Sequence, residues 1–374
     1  MEESEYATLT TSALNSKIMI KYKNSVMQMY MFHNDYNQCC HPYVMEKMLK
    51  MQSVQMQSYG LDTSCESAAA RIKKLCGNDQ LAVHFLVGGT QTNLTVIASA
   101  LRPHQAVLAV QTGHINVHET GAIEATGHKV VALPSPDGKI TAEQIEKAAL
   151  GQLADEAAEH IAQLKLVYIS NSTELGTIYT LSELESISAV CKRFGYYLFM
   201  DGARLSYALS AKNSDVSLAD LARLCDVFYL GGTKCGAMFG EAVVISNPAI
   251  AEDFRYIIKQ RGAMLAKGWL LGLQFDALLE NNLYFDIAKK ANEQAEQLRI
   301  TLEKRGYSFL VNSETNQVFP ILPNALLDHL KESFTFSEQE VIDKTHRAVR
   351  FCTSWATTQE SVDALCQAIE NYSG

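Results

Sequence analysis

Short apolar runs alternate with amphipathic stretches between residues 81 and 245, and this alternation constrains the fold more than any other feature. The runs are rich in β-branched or aromatic residues and are mostly bounded by Gly, Pro, Asp or Asn, as buried strands are. The predicted strands span residues 81–87, 106–110, 129–133, 164–170, 196–200, 226–230 and 241–245. Helical patterns lie between them, as at 90–101, 141–164 and 181–194. This order predicts an α/β fold with a mostly parallel sheet and helices on both faces.

After Pro248 the pattern changes to a long helical stretch that runs to about residue 305. Weaker strand signals follow at 307–311, 318–322 and 348–355, and a last helix is predicted from Thr358. We therefore expect two parts. An N-terminal segment and a large domain occupy residues 1–255, and a smaller α+β domain occupies residues 256–374.

Charge and cysteine content limit the functions to consider. The formal net charge is −9, which argues against general affinity for nucleic acid or an anionic membrane. No apolar run approaches the roughly 18 residues of a membrane helix. The start MEESEYATLT lacks the basic segment of a secretory signal. Nine cysteines without a CxxC pair predict reduced thiols and a cytoplasmic protein.

Reactive residues follow the predicted strands where open α/β sheets bind ligands, outside the carboxyl ends of the strands. They are Gly88-Gly89-Thr90, Gly113-His114, Asn171, Asp201-Gly202-Ala203-Arg204 and Gly231-Gly232-Thr233-Lys234. In the first of these, the glycines permit close approach of a ligand, and Thr90 is predicted to cap a helix whose free N–H groups attract phosphate. Taken alone, the same segment is more typical of an ordinary strand-to-helix turn.

Asp201 and Lys234 each come after an apolar strand. Either alone is typical of a solvated loop charge. Together on neighbouring strand ends they favour pyridoxal 5′-phosphate, which needs a lysine, an acid at its ring nitrogen and a phosphate site.

Three further groups have weaker signals. His114 and His118 lie one helical turn apart, and with Glu119 they lack a clear third metal ligand, so we predict no metal and a stacking role for His114. Cys39 and Cys40 have no evident partner base and are interpreted as structural. Arg204 and Arg350 are candidates for a bidentate grip on a carboxylate, although Arg350 is also consistent with an exposed edge position.

These motifs, with His33-Asn34-Asp35, Tyr59-Gly60, LVYISNSTELGT (166–177) and the late Arg350, resemble the threonine aldolase and β-eliminating lyase family of fold-type-I pyridoxal-phosphate enzymes. The stretch GGTK with GEAVVI (240–245) is most similar to the low-specificity L-threonine or phenylserine aldolases. The resemblance covers the chain from about residue 30 onward. Asn34, Leu61 and Lys267 depart from common family residues, which bears on the substrate more than on the cofactor.

The resemblance implies a role for each matched position. Lys234 would form the Schiff base, Asp201 would bond the pyridine nitrogen, His114 would stack on the ring, and Gly88, Gly89 and Thr90 would hold the phosphate. Asn34, Arg204 and Arg350 would hold the substrate carboxylate, with Arg204 also counted in the cofactor pocket. His160 would lie near the substrate hydroxyl. Lys267 would reach the cofactor phosphate across a subunit interface, and Tyr59 would act across it at the substrate, in a homodimer or homotetramer with shared active sites.

The predicted reaction is retro-aldol cleavage of a β-hydroxy-α-amino acid, with L-threonine first, to glycine and an aldehyde. His160, His114 or a water that they position would take the hydroxyl proton. Other reactions of the same cofactor stay open, β-elimination above all. Outside this class, a non-catalytic phosphate- or nucleotide-binding protein would use the Gly-Gly-Thr segment alone, and a purely structural scaffold would leave the strand-end residues unexplained.

Overall fold

The computed structural model describes residues 17–22 and 25–373. In chain order its strands are β1 (Lys17–Tyr22), β2 (Ser25–Met31), β3 (Ala82–Leu86), β4 (Gln105–Val110), β5 (Lys129–Leu133), β6 (Gln163–Ser170), β7 (Tyr197–Asp201), β8 (Val227–Gly231), β9 (Glu241–Ile245), β10 (Gln317–Val318), β11 (Ile321–Pro323), β12 (Phe334–Thr335), β13 (Ser337–Val341) and β14 (His346–Cys352).

The helices complete this list of elements. They are α1 (Pro42–Lys50), α2 (Thr63–Cys76), α3 (Gly89–Ala100), α4 (His114–Val117), α5 (Ala142–Ala154), α6 (Leu181–Phe194), α7 (Leu205–Leu209), α8 (Leu218–Leu224), α9 (Pro248–Ala251), α10 (Phe254–Gln260), α11 (Trp269–Leu279), α12 (Leu283–Lys304), α13 (Asn324–Leu330) and α14 (Gln359–Asn371), with 3-10 turns at Glu124–Thr126, Ala158–His160 and Glu280–Asn282.

A seven-stranded sheet in the order β3-β9-β8-β7-β6-β4-β5 forms the centre of the large domain. β9 pairs antiparallel with β3 and β8, while the other pairs are parallel. Two clusters of buried apolar side chains pack on its opposite faces, because alternate residues of each strand point to opposite sides. The predicted α/β class is confirmed. The seven predicted strands are present to within one residue at each end, and the helix predicted at 181–194 is α6.

The long helical stretch predicted from 249 to 305 is wrong as one element. The chain breaks it into α9, α10, α11 and α12. Asp253, Asn281 and Asn282 have φ of 57°, 52° and 65°, and such left-handed residues cannot continue a helix. The separate helices also serve different cores, since Phe254 packs on one face of the sheet and Leu278 on the other.

Two shorter predictions also need correction. The helix expected at 141–164 ends at Ala154, where Asp155 becomes extended. The strand expected at 307–311 is reduced to a single bridge between Phe309 and Pro320.

A second core lies under the C-terminal strands. It joins α12, α13 and α14 with β14, and Phe32 from the N-terminal segment is buried in it. Along α12, Ile287 and Ala291 belong to the large core, while Leu298 and Leu302 belong to the second. The two cores therefore meet within this helix, and a boundary at residue 255 stays a prediction. Among the described residues, no helix combines the length and apolar character needed to cross a bilayer.

Close approach of β7 and β8 at the functional edge requires a glycine at position 202. A Cβ there would lie 1.7 Å from the carbonyl oxygen of Tyr229. Gly202→Ala should therefore lower the free energy of unfolding by about 3 kcal/mol, measured by chemical denaturation.

Gly151→Ala is the matched control, since a Cβ at this exposed position of α5 meets no atom within 4 Å. It should raise stability by about 0.5–1 kcal/mol, the cost of glycine in a helix. Equal effects of the two substitutions would contradict the packing argument.

Candidate active site

The parallel strands bring most of the predicted site residues to one edge of the sheet, as expected for carboxyl ends of such strands. His114 follows β4, Asp201 ends β7, and Lys234 follows β8. Because β9 runs in the opposite direction, its first residue, Glu241, reaches the same edge. We call these four strand ends the rim.

Asp201 is a buried carboxylate with several donors. Its Oδ2 accepts hydrogen bonds from the Tyr168 hydroxyl at 2.5 Å and the Asn93 amide at 3.0 Å, and its Oδ1 accepts the backbone N–H of Ala203 at 2.9 Å. Burial opposes its charge, but the facing His114 and the Tyr168 hydrogen bond hold the pKa of Asp201 below its ordinary value. The rim therefore presents a fixed negative charge.

His114 is held by two glutamates. Its Nδ1 lies 2.8 Å from Glu119 Oε1, and its backbone N–H donates to Glu174 Oε1 at 3.0 Å. Asn93 also donates to Glu119, at 2.7 Å, and so links His114 to Asp201. Burial lowers the pKa of His114, but Glu119 and Asp201 outweigh it and raise the pKa overall. Glu119 therefore orients this ring and favours its protonated form.

Lys234 lies in the β8–β9 loop, whose backbone is fixed by a 2.6 Å hydrogen bond from the Tyr207 hydroxyl to the Lys234 carbonyl. Burial and then the charge on Arg204 lower the pKa of Lys234, against the opposing charges of Asp35 and Asp201. A lysine with a lowered pKa is more often unprotonated and hence nucleophilic.

Arg204 makes a bidentate ion pair with Asp35, from Nε at 2.8 Å and Nη2 at 3.0 Å. Asn316 donates to the same carboxylate at 2.9 Å. Burial opposes the charge on Asp35, but Arg204 and Lys234 hold its pKa at about 2. Much of the guanidinium fork is thus occupied within the protein. The predicted contact of Arg204 with a substrate carboxylate is restricted to its remaining N–H groups.

Arg350 keeps one N–H donor without a hydrogen-bond partner in the part of the chain that the structure describes. Its Nη2 donates to the carbonyl of His33 at 3.0 Å, and its Nη1 to Gln317 at 3.2 Å. Its buried Nε has no hydrogen-bond partner among the described residues. Asn34 follows His33 directly, and the shared role of Asn34 and Arg350 at a substrate carboxylate stays a prediction. A buried hydrogen-bond donor without a partner lowers the stability of the fold, and an anion bound to the Nε would supply the missing partner.

The helix start at Gly88–Thr90 differs in one detail from the prediction. The N-cap of α3 is Gly88, without a side-chain cap, while Thr90 is the second helical residue. Thr90 is therefore not the cap that the sequence suggested, and the first N–H groups of α3 stay available to a ligand. A Cβ at Gly88 would meet no atom within 4 Å, so the space above this turn is open.

Three predicted residues lie outside this cluster. His160 precedes β6, which spans eight residues, so it lies roughly 23 Å from the rim at about 3.3 Å per residue. A role for His160 at the Lys234 of its own chain is wrong on this geometry. Tyr59 and Lys267 are both exposed, and the Tyr59 N–H donates to the Ala266 carbonyl at 3.1 Å.

His118 is a rim residue that our sequence analysis considered only as a metal ligand. It caps α4, and its ring centroid lies 5.5 Å from that of His114. Partial burial and the charge on His114, followed by the cations Arg350 and Lys234, lower the pKa of His118. These surroundings therefore favour the neutral form of His118. Among the described residues, no cluster of His, Cys, Asp and Glu could hold a metal.

Several other rim residues were missed, namely Asp35, Asn93, Glu119, Tyr168, Glu174 and Glu241. Their contacts join positions up to 281 residues apart, as for Asp35 and Asn316. Asp35, Glu174 and Glu241 lie inside motifs quoted for the resemblance, and this membership was the one usable signal. Asn93 and Tyr168 were inside predicted elements and resembled ordinary core residues.

Comparisons with known proteins agree with this geometry. A family model described as beta-eliminating lyase matches residues 40–324. The chain is 31% identical over 343 residues to a low specificity L-threonine aldolase of Pseudomonas sp. (strain NCIMB 10558), covering 90% of this chain and 95% of that protein.

Solved structures agree as well. A threonine aldolase of Leishmania major is 47% identical with a TM-score of 0.89, over 91% of this chain and 98% of that one. A Sphingomonas wittichii serine palmitoyltransferase is 13% identical with a TM-score of 0.72, over 97% of this chain and 91% of that one, and shows the fold alone. The resemblance inferred from the strand-end motifs is confirmed.

The Asp35–Arg204 pair should be a large contributor to stability. Asp35→Asn leaves the buried Arg204 charge without its partner, so the free energy of unfolding should fall by about 3–5 kcal/mol in a denaturant titration.

Glu185→Gln breaks an ion pair of the same type at the surface, to Arg223 at 2.9 Å with both side chains about half exposed, and should change stability little. If Asp35→Asn is as mild as Glu185→Gln, the buried pair is not holding this region together.

Proposed function

The chain belongs to the beta-eliminating lyase family, and from this premise we propose that it is a pyridoxal-phosphate-dependent lyase. Its proposed reaction is retro-aldol cleavage of L-threonine or a related β-hydroxy-α-amino acid to glycine and an aldehyde. The names of the Pseudomonas and Leishmania relatives support the choice of substrate.

The observation that carries the proposal is the pairing of Lys234 with Asp201 at one edge of the sheet. The first is biased toward its neutral, nucleophilic form and the second toward its charged form. An amine that bonds an aldehyde must be neutral, whereas an acid that keeps a ring nitrogen protonated must be charged.

The residues present fit this cofactor. The open turn at Gly88 and the free N–H groups of α3 suit a phosphate, and His114 is held where a ring could stack. When bound, pyridoxal phosphate supplies an aldehyde that bonds amines and a ring that takes up the electron pair of the bond being broken.

Substrate orientation falls to Asn34 and Arg350. The unpaired Nε of Arg350 supports this role, since a guanidinium grips a carboxylate in a fixed plane. Holding the carboxylate fixes rotation about Cα, which decides the bond that is aligned for cleavage.

His118 is the residue that we assign to the β-hydroxyl proton. Of the rim histidines it has the lowered pKa and is exposed beside Arg350 and Lys234, whereas His114 is already engaged with Glu119. A general base must be unprotonated at the working pH, and this favours His118 over His114.

Assembly and location complete the proposal. Tyr59, 44% exposed, and Lys267 suit contact with the active site of a second subunit in a homodimer or homotetramer. All nine cysteines are free thiols, which supports a cytoplasmic location.

The first test identifies the cofactor and the products. With pyridoxal phosphate the protein should show visible absorbance that borohydride abolishes, leaving the label on Lys234. L-Threonine, allo-threonine or phenylserine should yield glycine and an aldehyde, and Lys234→Ala should lose both absorbance and cleavage because the reactive amine is gone.

Other outcomes separate the alternatives. An oxo acid and ammonia in place of glycine would identify β-elimination. A colourless protein that is indifferent to Lys234→Ala would support a non-catalytic phosphate-binding role and contradict the proposal.

The second test concerns His118. His118→Phe should lower kcat/KM for L-threonine by about 10²–10³-fold, because no group then takes the hydroxyl proton. Exchange of the glycine α-proton with deuterated solvent needs no such base and should change much less. In wild type the acid limb of kcat/KM should fall below the ordinary histidine value of about 6.5, since activity is lost as His118 gains its proton.

His160→Phe is the matched control and should leave both rates close to wild type. Equal losses of cleavage and exchange in His118→Phe would mean that the ring only supports the site. A selective loss in His160→Phe would transfer the role to that residue in a second subunit.

A further inference from the structure

Glu241 is a buried acid at the rim that has no part in the reaction above. It is 3% exposed and begins β9. In the sheet it lies opposite Gly231 of β8 on one side and Leu86 of β3 on the other. It therefore lies between the loop that carries Lys234 and the strand that leads to the turn at Gly88.

Hydrogen bonds tie Glu241 to the lysine loop. Its Oε1 accepts the Thr233 hydroxyl at 2.9 Å, and its Oε2 accepts the Gly232 N–H at 3.3 Å. Thr233 Oγ1 in turn accepts the Gly240 N–H at 3.1 Å. These bonds join the two ends of the loop, so the position of Lys234 depends on them.

Glu241 also lies close to the start of α3. Partner residues in a sheet point to the same face, so Glu241 lies on the side of Leu86, which packs with Tyr229 and α3 in one core. A Cβ at Gly89 would be 3.3 Å from the Tyr229 hydroxyl. The Tyr229 side chain thus lies between Glu241 and the turn at Gly88–Thr90 that we propose for the phosphate.

A carboxylate so near a phosphate dianion would repel it, and little water is present to screen them. Phe275 and Leu271 of α11 close over Gly240. Burial raises the pKa of Glu241 to about 8, against the Thr233 hydrogen bond and the charge on Lys234, while Asp201 adds to the rise. The neutral acid therefore predominates at neutral pH.

We propose that Glu241 is a positioning residue that holds a proton while the phosphate is bound, so that phosphate binding and Glu241 protonation favour one another. This inference rests on the proposed function, because the phosphate is that of the cofactor. Lys234, Asp201, Tyr229 and Tyr284 are the titratable groups that face Glu241, and all four stay in place in the variants below.

Protonation also changes what Thr233 can do. A hydroxyl has one donor and two acceptor positions. A protonated Glu241 can donate to Thr233 Oγ1, which still accepts from Gly240, and the Thr233 hydrogen then becomes available to another acceptor. The loop stays closed in both protonation states.

The test measures binding of pyridoxine 5′-phosphate, which carries the phosphate but no aldehyde, to the full-length apoprotein. Dissociation constants are compared for wild type and Glu241→Gln between about pH 6.5 and 9.5. The ratio of the wild-type dissociation constant to that of Glu241→Gln should be flat below about pH 7. Above pH 8 it should rise toward tenfold per pH unit, since only wild type must take up a proton to bind.

Two variants serve as controls. Glu252→Gln removes an exposed carboxylate beyond the far end of β9 and should follow the wild-type curve. Thr233→Val keeps the carboxyl group but removes the hydroxyl, so its affinity should fall while its pH dependence remains.

Parallel curves for wild type and Glu241→Gln would overturn the inference while leaving the proposed function intact. Failure of wild type to bind at any pH would instead count against the proposed cofactor. If Glu241→Gln does not fold, calorimetry of wild type near pH 8.5 in two buffers of different ionisation enthalpy decides the question, and absence of proton uptake overturns the inference.

Discussion

The buried ion pair between Asp35 and Arg204 is the interaction on which the rest of the site depends. Arg204 follows a strand of the large sheet, whereas Asp35 lies in the segment that contributes Phe32 to the second core and also binds Asn316. The pair therefore joins the two cores at the rim. It also places a cation beside Lys234, and that charge helps to lower the pKa of the lysine.

Burial disfavours the charged form of every titratable group at the rim, but neighbouring charges and hydrogen bonds decide the direction of each pKa shift. Asp201 stays charged because it accepts donors from Tyr168, Asn93 and the backbone. Glu119 favours the protonated form of His114, whereas burial and the cations near His118, one turn away, favour its neutral form. One low-dielectric edge can thus hold an acid, a base and a nucleophile in different protonation states.

The central sheet was predictable because each strand is a short, uniformly buried run whose ends are set by local residues. The capping pair at Thr180 and Glu183 likewise fixes the start of α6 locally. The division of the stretch from 249 to 305 into separate helices was not predictable, because its apolar periodicity continues through left-handed residues such as Asp253. Lys234 and Asp201 were predicted from motifs at strand ends, and Asn34 was predicted from the family resemblance. Glu119 and Glu241 were not, since a buried carboxyl in a sequence looks the same as an exposed one.

Local chemistry in the sequence determined the kind of fold, the edge of the sheet that binds a ligand, and the lysine and aspartate that suit pyridoxal phosphate. The order of the strands, the distance of His160 from the rim and the opposite pKa shifts of His114 and His118 were decided by the tertiary structure. The reason is physical, because a proton's free energy depends on the charges and donors within a few ångströms, and folding brings these together from distant parts of the chain. Residue type sets which groups can titrate, and the fold sets the pH at which each of them does so.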